Sequence, residues 1–164
     1  MTTTNRTATI TLPSDREILI TRTFDAPPDL LFRAWTEPDL VSRWWSGRHG
    51  ELTTCEIDLR VGGSWRYVMV GQAGFEVAFH GEYREIIPGA RLVTTEVFEG
   101  AEPLPPADEP LNVITFEEAG GGTILRLLVQ TTSTELRDVI LNSGMEQGMH
   151  EQFELLEEAA SDLR

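Results

Sequence analysis

The sequence predicts an α+β domain in which a curved antiparallel sheet of about seven strands wraps around one long C-terminal helix, with two short helices after the first strand. Three observations lead there. Residues 143–163 place Met145, Met149, Gln152, Phe153, Leu156, Ala160 and Leu163 at steps of three and four, one face of a helix. Residues 52–130 instead follow a period of two, in runs separated by Gly and Pro turn signals. Strands joined by such short turns pair antiparallel, and a twisted sheet of that size curls, leaving a concave side for the helix to cover.

Each element has a local reason. Residues 1–14 are polar and Thr-rich, which suits a flexible N-terminal arm or an irregular edge strand. Residues 17–24 (EILITRTF) form the first strand, with Ile18, Ile20, Arg22 and Phe24 on one face. Asp25-Ala26-Pro27-Pro28 ends it and opens a helix whose apolar face is Leu30, Leu31, Ala34 and Trp35. Thr36-Glu37-Pro38-Asp39 restarts the chain as a second helical segment carrying Leu40, Val41, Trp44 and Trp45. Strands 52–59 and 64–70 flank the Gly62-Gly63 turn, and strand 75–86 runs from a second glycine turn to Pro88-Gly89. Strand 91–98 follows. Residues 99–110 carry Pro103, Pro105, Pro106 and Pro110 among acidic residues and read as a mobile, partly polyproline loop. Strands 112–117 and 123–130 form a hairpin around Gly120, Gly121 and Gly122. Residues 133–141 open on a capping Ser133 and lead into the final helix. Inside that helix Gly144 and Gly148 each weaken it by up to about 1 kcal/mol relative to Ala. They also leave a bare strip beside the flexible Met145 and Met149.

The 164 residues make one domain over 15–164, with no internal repeat. A net charge of −14 opposes binding to nucleic acid or to anionic membrane surfaces. All 13 basic residues are Arg, so Schiff-base lysine and P-loop chemistry are excluded. Cys55 is alone, which rules out an internal disulfide and favours a reduced, intracellular setting. With no leader-like segment and no apolar run of membrane-spanning length, the expectation is a soluble cytoplasmic protein.

The candidate binding residues lie on the strands and the last helix. Trp65, Tyr67 and Met69 share one strand face, and Phe75, Val77, Phe79 and Tyr83 share a face on the next. Across from them stand Met145, Gly148, Met149 and Phe153, with Trp45 at the rim. Such a stripe is ordinarily solid core. Here the helix offers glycine and methionine where Leu would fill the bowl, so a cavity for a hydrophobic small molecule is expected, with the Tyr67 and Tyr83 hydroxyls as orienting groups. His49, His80 and His150 lack ligand spacing, so no metal and no cofactor is expected. Arg48 and His49 read as solvated rather than ligand-binding. Glu56 and Asp58 belong to the outer face and become general bases only if the register flips. None of Ser46, Ser64, Ser133 and Ser143 sits in a nucleophile elbow, so no catalytic set is evident.

Four runs in order, ITRTFDAPPDLLFRAWTEPDLVSRWW, DLRVGGSW, FHGEYREIIPGARLV and SGMEQGMHEQFELLEE, resemble one family. The chain resembles the SRPBCC (START-like) superfamily, specifically the activator of heat-shock-protein-90 ATPase homologues, over residues 18–163. The resemblance implies a helix-grip fold with a pocket between sheet and helix for a lipid- or polyketide-like guest. It also implies two rival uses. One is a cyclase- or aromatase-type enzyme, for which Tyr67, Glu56 and Asp58 are the residues to test. The other is chaperone-ATPase regulation or another protein interaction. The likeness reaches the C-terminal domain of the eukaryotic co-chaperones of that name and not their N-terminal chaperone-binding domain. A homodimer through an exposed strand edge is compatible with the sequence, though no residue demands it.

Overall fold

The computed structural model describes residues 7–164. Strands β1 (Thr9–Thr11), β2 (Glu17–Phe24), β3 (Gly50–Ile57), β4 (Ser64–Gly71), β5 (Glu76–Ile87), β6 (Arg91–Thr95), β7 (Val97–Phe98), β8 (Leu111–Ala119) and β9 (Gly122–Gln130) form one sheet. Its order is β1-β2-β9-β8-β6-β5-β4-β3, with β7 alongside β5, and every pairing is antiparallel. Helices α1 (Pro28–Thr36) and α2 (Pro38–Val41) follow β2, while α3 (Thr134–Leu141) and α4 (Met145–Ser161) end the chain. The last strand, β9, pairs with β2 along its whole length, from Glu17 opposite Gln130 to Phe24 opposite Thr123.

The sheet is two strands larger than the sequence predicts, for two local reasons. Of the expected arm, residues 1–6 lie outside the described residues, and Thr9–Thr11 pair with β2. The expected strand 91–98 is split at Glu96, whose backbone N–H donates to Pro110 O at 3.1 Å. Before the break β6 lies between β8 and β5; after it β7 pairs with β5, with Phe98 opposite Phe79.

Packing follows the alternation. Ile18, Ile20, Arg22 and Phe24 are all buried, as one face of β2 requires. Proline at the first position of α1 has the φ a helix needs and lacks only an N–H that would find no partner there. Trp44 is buried and donates from its indole to Ala34 O at 2.8 Å, tying the end of the helical corner to α1. Ser133 caps α3 by accepting from Leu136 N at 3.1 Å. Gly144 differs from expectation: it is not inside the last helix but makes the corner between α3 and α4, at φ +85°, a left-handed conformation that favours glycine.

The second half of α4 is held fast. Phe153, Leu156, Ala159 and Ala160 are buried, and Phe153 meets Phe24 edge-on at 5.7 Å. Behind them the Arg22 side chain, only 4% exposed, reaches Glu157 Oε2 at 3.4 Å and lies 4.3 Å from the Phe24 ring centre. The other oxygen of Glu157 accepts from Asp25 N at 3.0 Å. Glu157→Ala removes both this ion pair and the acceptor of Asp25 N, so it should lower unfolding free energy by about 3 kcal/mol, while exposed Glu158→Ala stays within about 0.5 kcal/mol of the parent. Urea denaturation checks both, and equal effects would mean the pair does not anchor the helix.

Candidate functional site

The first half of α4 stands off from the sheet, and the space between is a cavity of about 800 Å³. It brings together Trp45, Trp65, Tyr67, Met69, Val77, Phe79 and Tyr83 on the sheet side and Met145, Gly148, Met149 and Phe153 on the helix side. Register explains the first group: Tyr67 lies opposite Phe79 and Met69 opposite Val77 on adjacent strands. The Trp45 ring packs edge-on against Tyr67 and Phe79, at 5.2 and 5.4 Å. Trp65 lies over Gly81, where an added Cβ would come within 2.5 Å of the indole nitrogen and 1.9 Å of Thr95 O. That glycine is what lets the ring lie back against β5. On the helix side, a Cβ added to Gly148 would meet nothing within 4 Å. Phe75, grouped with these aromatics by alternation, is turned outward and 55% exposed.

Sequence reasoning missed the polar end of this cavity. Glu96 and Asn112 both line it. Burial pushes the Glu96 pKa up, and the neighbouring Asn112 amide only partly offsets this. Asn112 Oδ1 is buried with no hydrogen-bond partner among the described residues. Burial likewise pushes the Tyr67 phenol well above its ordinary range and raises Tyr83. Alternation did carry a signal for Glu96: Leu92 and Thr94, four and two residues earlier, line the same cavity.

The loop at 99–110 is also part of the wall. Ala101, Glu102, Leu104, Glu109 and Pro110 close the side opposite α3, and a 3₁₀ turn at Pro106–Asp108 is its one regular piece. Its base is fixed by Glu99, which accepts from Arg66 at 2.9 and 3.0 Å and lies 2.8 Å from His80 Nδ1. Those contacts, Arg66 foremost, hold the Glu99 carboxyl at a pKa of about 2. Phe98, Leu104 and Val139, 45, 42 and 66% exposed, make an apolar rim where the cavity opens.

The remaining candidates fall elsewhere. Arg48 reaches Glu154 at 3.1 Å, and His49, at the rim, lies 3.9 Å from Glu151. His150 faces Glu146 at 4.0 Å on the outer side of α4. Glu56 and Asp58 are exposed on the outer face and do not enter the cavity. Among the described residues no three potential ligands could hold a metal ion, and no helix is long and apolar enough to cross a membrane.

With this geometry in hand, residues 25–161 match the family model described as activator of Hsp90 ATPase homolog 1-like protein. The chain belongs to that family. Among solved structures, one from Rhodobacter sphaeroides is 26% identical, with a TM-score of 0.86 over 95% of this chain and 99% of its own. A Mycobacterium smegmatis protein is 24% identical, with a TM-score of 0.80 over 92% and 95%. An AHSA1-like protein of Aeromonas hydrophila, 22% identical, covers 88% and 94% with a TM-score of 0.67. No curated protein matches the sequence. The last two likenesses speak to the fold alone.

The enclosed carboxyl makes a pH prediction. A raised folded pKa means the native state holds the proton more tightly than the unfolded chain. The resulting stabilisation is full below the unfolded carboxyl value of about 4.3 and is lost as pH rises through the folded one. Glu96→Gln, a permanently neutral isostere, should melt higher than the parent at neutral pH and lose that advantage toward about pH 4. Thermal melts across that range check it; a lower-melting variant at neutral pH would show that the charged form is the stabilised one.

Proposed function

We propose that this AHSA1-like protein is a binding module that holds a hydrophobic small molecule between the sheet and the first half of α4. The observation that carries the reading is the cavity itself. Its volume of about 800 Å³ lies within the range of about 300–1,000 Å³ usual for small-molecule sites. Its walls are aromatic and aliphatic with few polar atoms, and an exposed apolar rim supplies an entry path. Burial of apolar surface would provide affinity, and Glu96, Asn112, Tyr67 and Tyr83 orientation.

A second reading has one observation in its favour. An enclosed carboxyl with a raised pKa is a candidate general acid or base, so a cyclase- or aromatase-type reaction would use Glu96, in place of the outward-facing Glu56 and Asp58. Turnover lost in Glu96→Gln with guest binding retained would favour it.

Native mass spectrometry of freshly purified protein tests for a retained guest directly. Gly148→Leu should weaken binding of an apolar fluorescent dye roughly tenfold with the fold intact, because the new side chain occupies open space at the helix wall. Unchanged dye affinity would move the binding site away from this cavity.

A further inference from the structure

The charge distribution around the cavity is one-sided. Four carboxylates line it, Glu96, Glu102, Glu109 and Glu151, against a single basic side chain, His49, at the rim. Among the described residues no arginine lines the cavity. Arg48 and Arg66 are directed instead to Glu154 and Glu99 on outer surfaces. Of the four carboxylates, Glu151 has local compensation, accepting from Arg48 N at 3.3 Å with His49 close by. Among the described residues the groups acting on Glu96 are neutral, the Asn112 amide and the Tyr67 phenol.

We infer that the guest is a hydrophobic cation, an amine-bearing apolar molecule whose ammonium group sits at Glu96 and Asn112. The inference rests on the binding reading above and narrows its ligand class. A carboxylate-headed guest such as a fatty acid would meet like charges with no cation to offset them. A neutral guest would leave the Glu96 charge uncompensated and, without a donor, Asn112 Oδ1 unpaired. An ammonium supplies N–H donors to both acceptors and the opposite charge to one of them. The aromatic lining of Trp45, Tyr67 and Phe79 suits the same guest, since aromatic rings attract cations as well as apolar carbon. A net charge of −14 would also draw cations to the mouth.

Three probes sharing one naphthalene ring separate the possibilities: 1-naphthylmethylammonium, 1-naphthalenemethanol and 1-naphthoate, each titrated calorimetrically into the full chain at neutral pH. The ammonium should bind about tenfold tighter than the alcohol, and the carboxylate weaker than both. In Glu96→Gln the ammonium should lose its advantage over the alcohol, so that the ratio of the two affinities falls to about one. Asn112→Leu, which keeps the carboxyl and removes the second acceptor, should reduce the ammonium's advantage without reversing it. Equal ammonium and alcohol affinities in the parent, a tighter carboxylate, or an ammonium advantage that survives Glu96→Gln would each overturn the inference while leaving a binding cavity in place. Failure of all three probes to bind would overturn the inference and the binding reading together.

Discussion

The long helix is anchored to the sheet at one end only, and the rest of the molecule depends on that asymmetry. Arg22 projects inward from β2, is stripped of water, and finds its charge partner in Glu157 on the second half of α4. Such a pair adds little net stability against an apolar substitute, because desolvating two charges consumes most of their attraction. What it does well is fix position. Slide the helix by one turn and a guanidinium is left buried without its carboxylate. With Phe153 set against Phe24 and Trp35, the C-terminal half of α4 has one seat on the sheet. The first half is held instead to the segment after α2, with Glu151 accepting from Arg48 N and Gln152 donating to Trp45 O. It starts at a glycine corner, carries Gly148 where a side chain could reach inward, and meets the broadest aromatic wall of the sheet. A void there is a geometric result of where the anchor lies.

Much of this was legible in the sequence, and the parts that were not share a cause. Period-two and period-three-to-four patterns placed the strands and α4 and gathered the aromatic lining, because those contacts lie on elements whose facing is set by parity. Glu96 obeyed the same parity but was hidden by its chemistry, since a glutamate among strand residues reads as solvated. Its burial depends on the break between β6 and β7, and that break depends on Pro110, fourteen residues away in sequence. The wall formed by residues 99–110 was invisible for a related reason. A proline-rich acidic loop has no periodicity, and the clasp of Glu99 on Arg66 and His80 that sets its base joins residues far apart in the chain. Gly144 was misplaced because a glycine within an apolar repeat cannot be told from a glycine between two helices by spacing alone.

Glu96 is a side chain that weakens the fold it belongs to. Its placement beside a neutral amide penalises the charged carboxylate and raises its pKa. Side chains that weaken the fold in this way are expected where a guest completes the site. The same reasoning does not apply to Arg22, whose partner lies within the protein.

The anchored and open halves of α4 thus divide the labour along one helix. Substitutions at Phe24, Phe153, Leu156 or Glu157 act on the seat of the helix, and so on whether the chain folds into this architecture at all. Substitutions at Trp45, Tyr67, Phe79, Glu96 or Gly148 alter a wall that faces space, where volume and charge can change with little strain elsewhere. A scaffold divided in this way can keep its backbone while the residues of its open half vary, and for this chain those residues are aromatic and acidic.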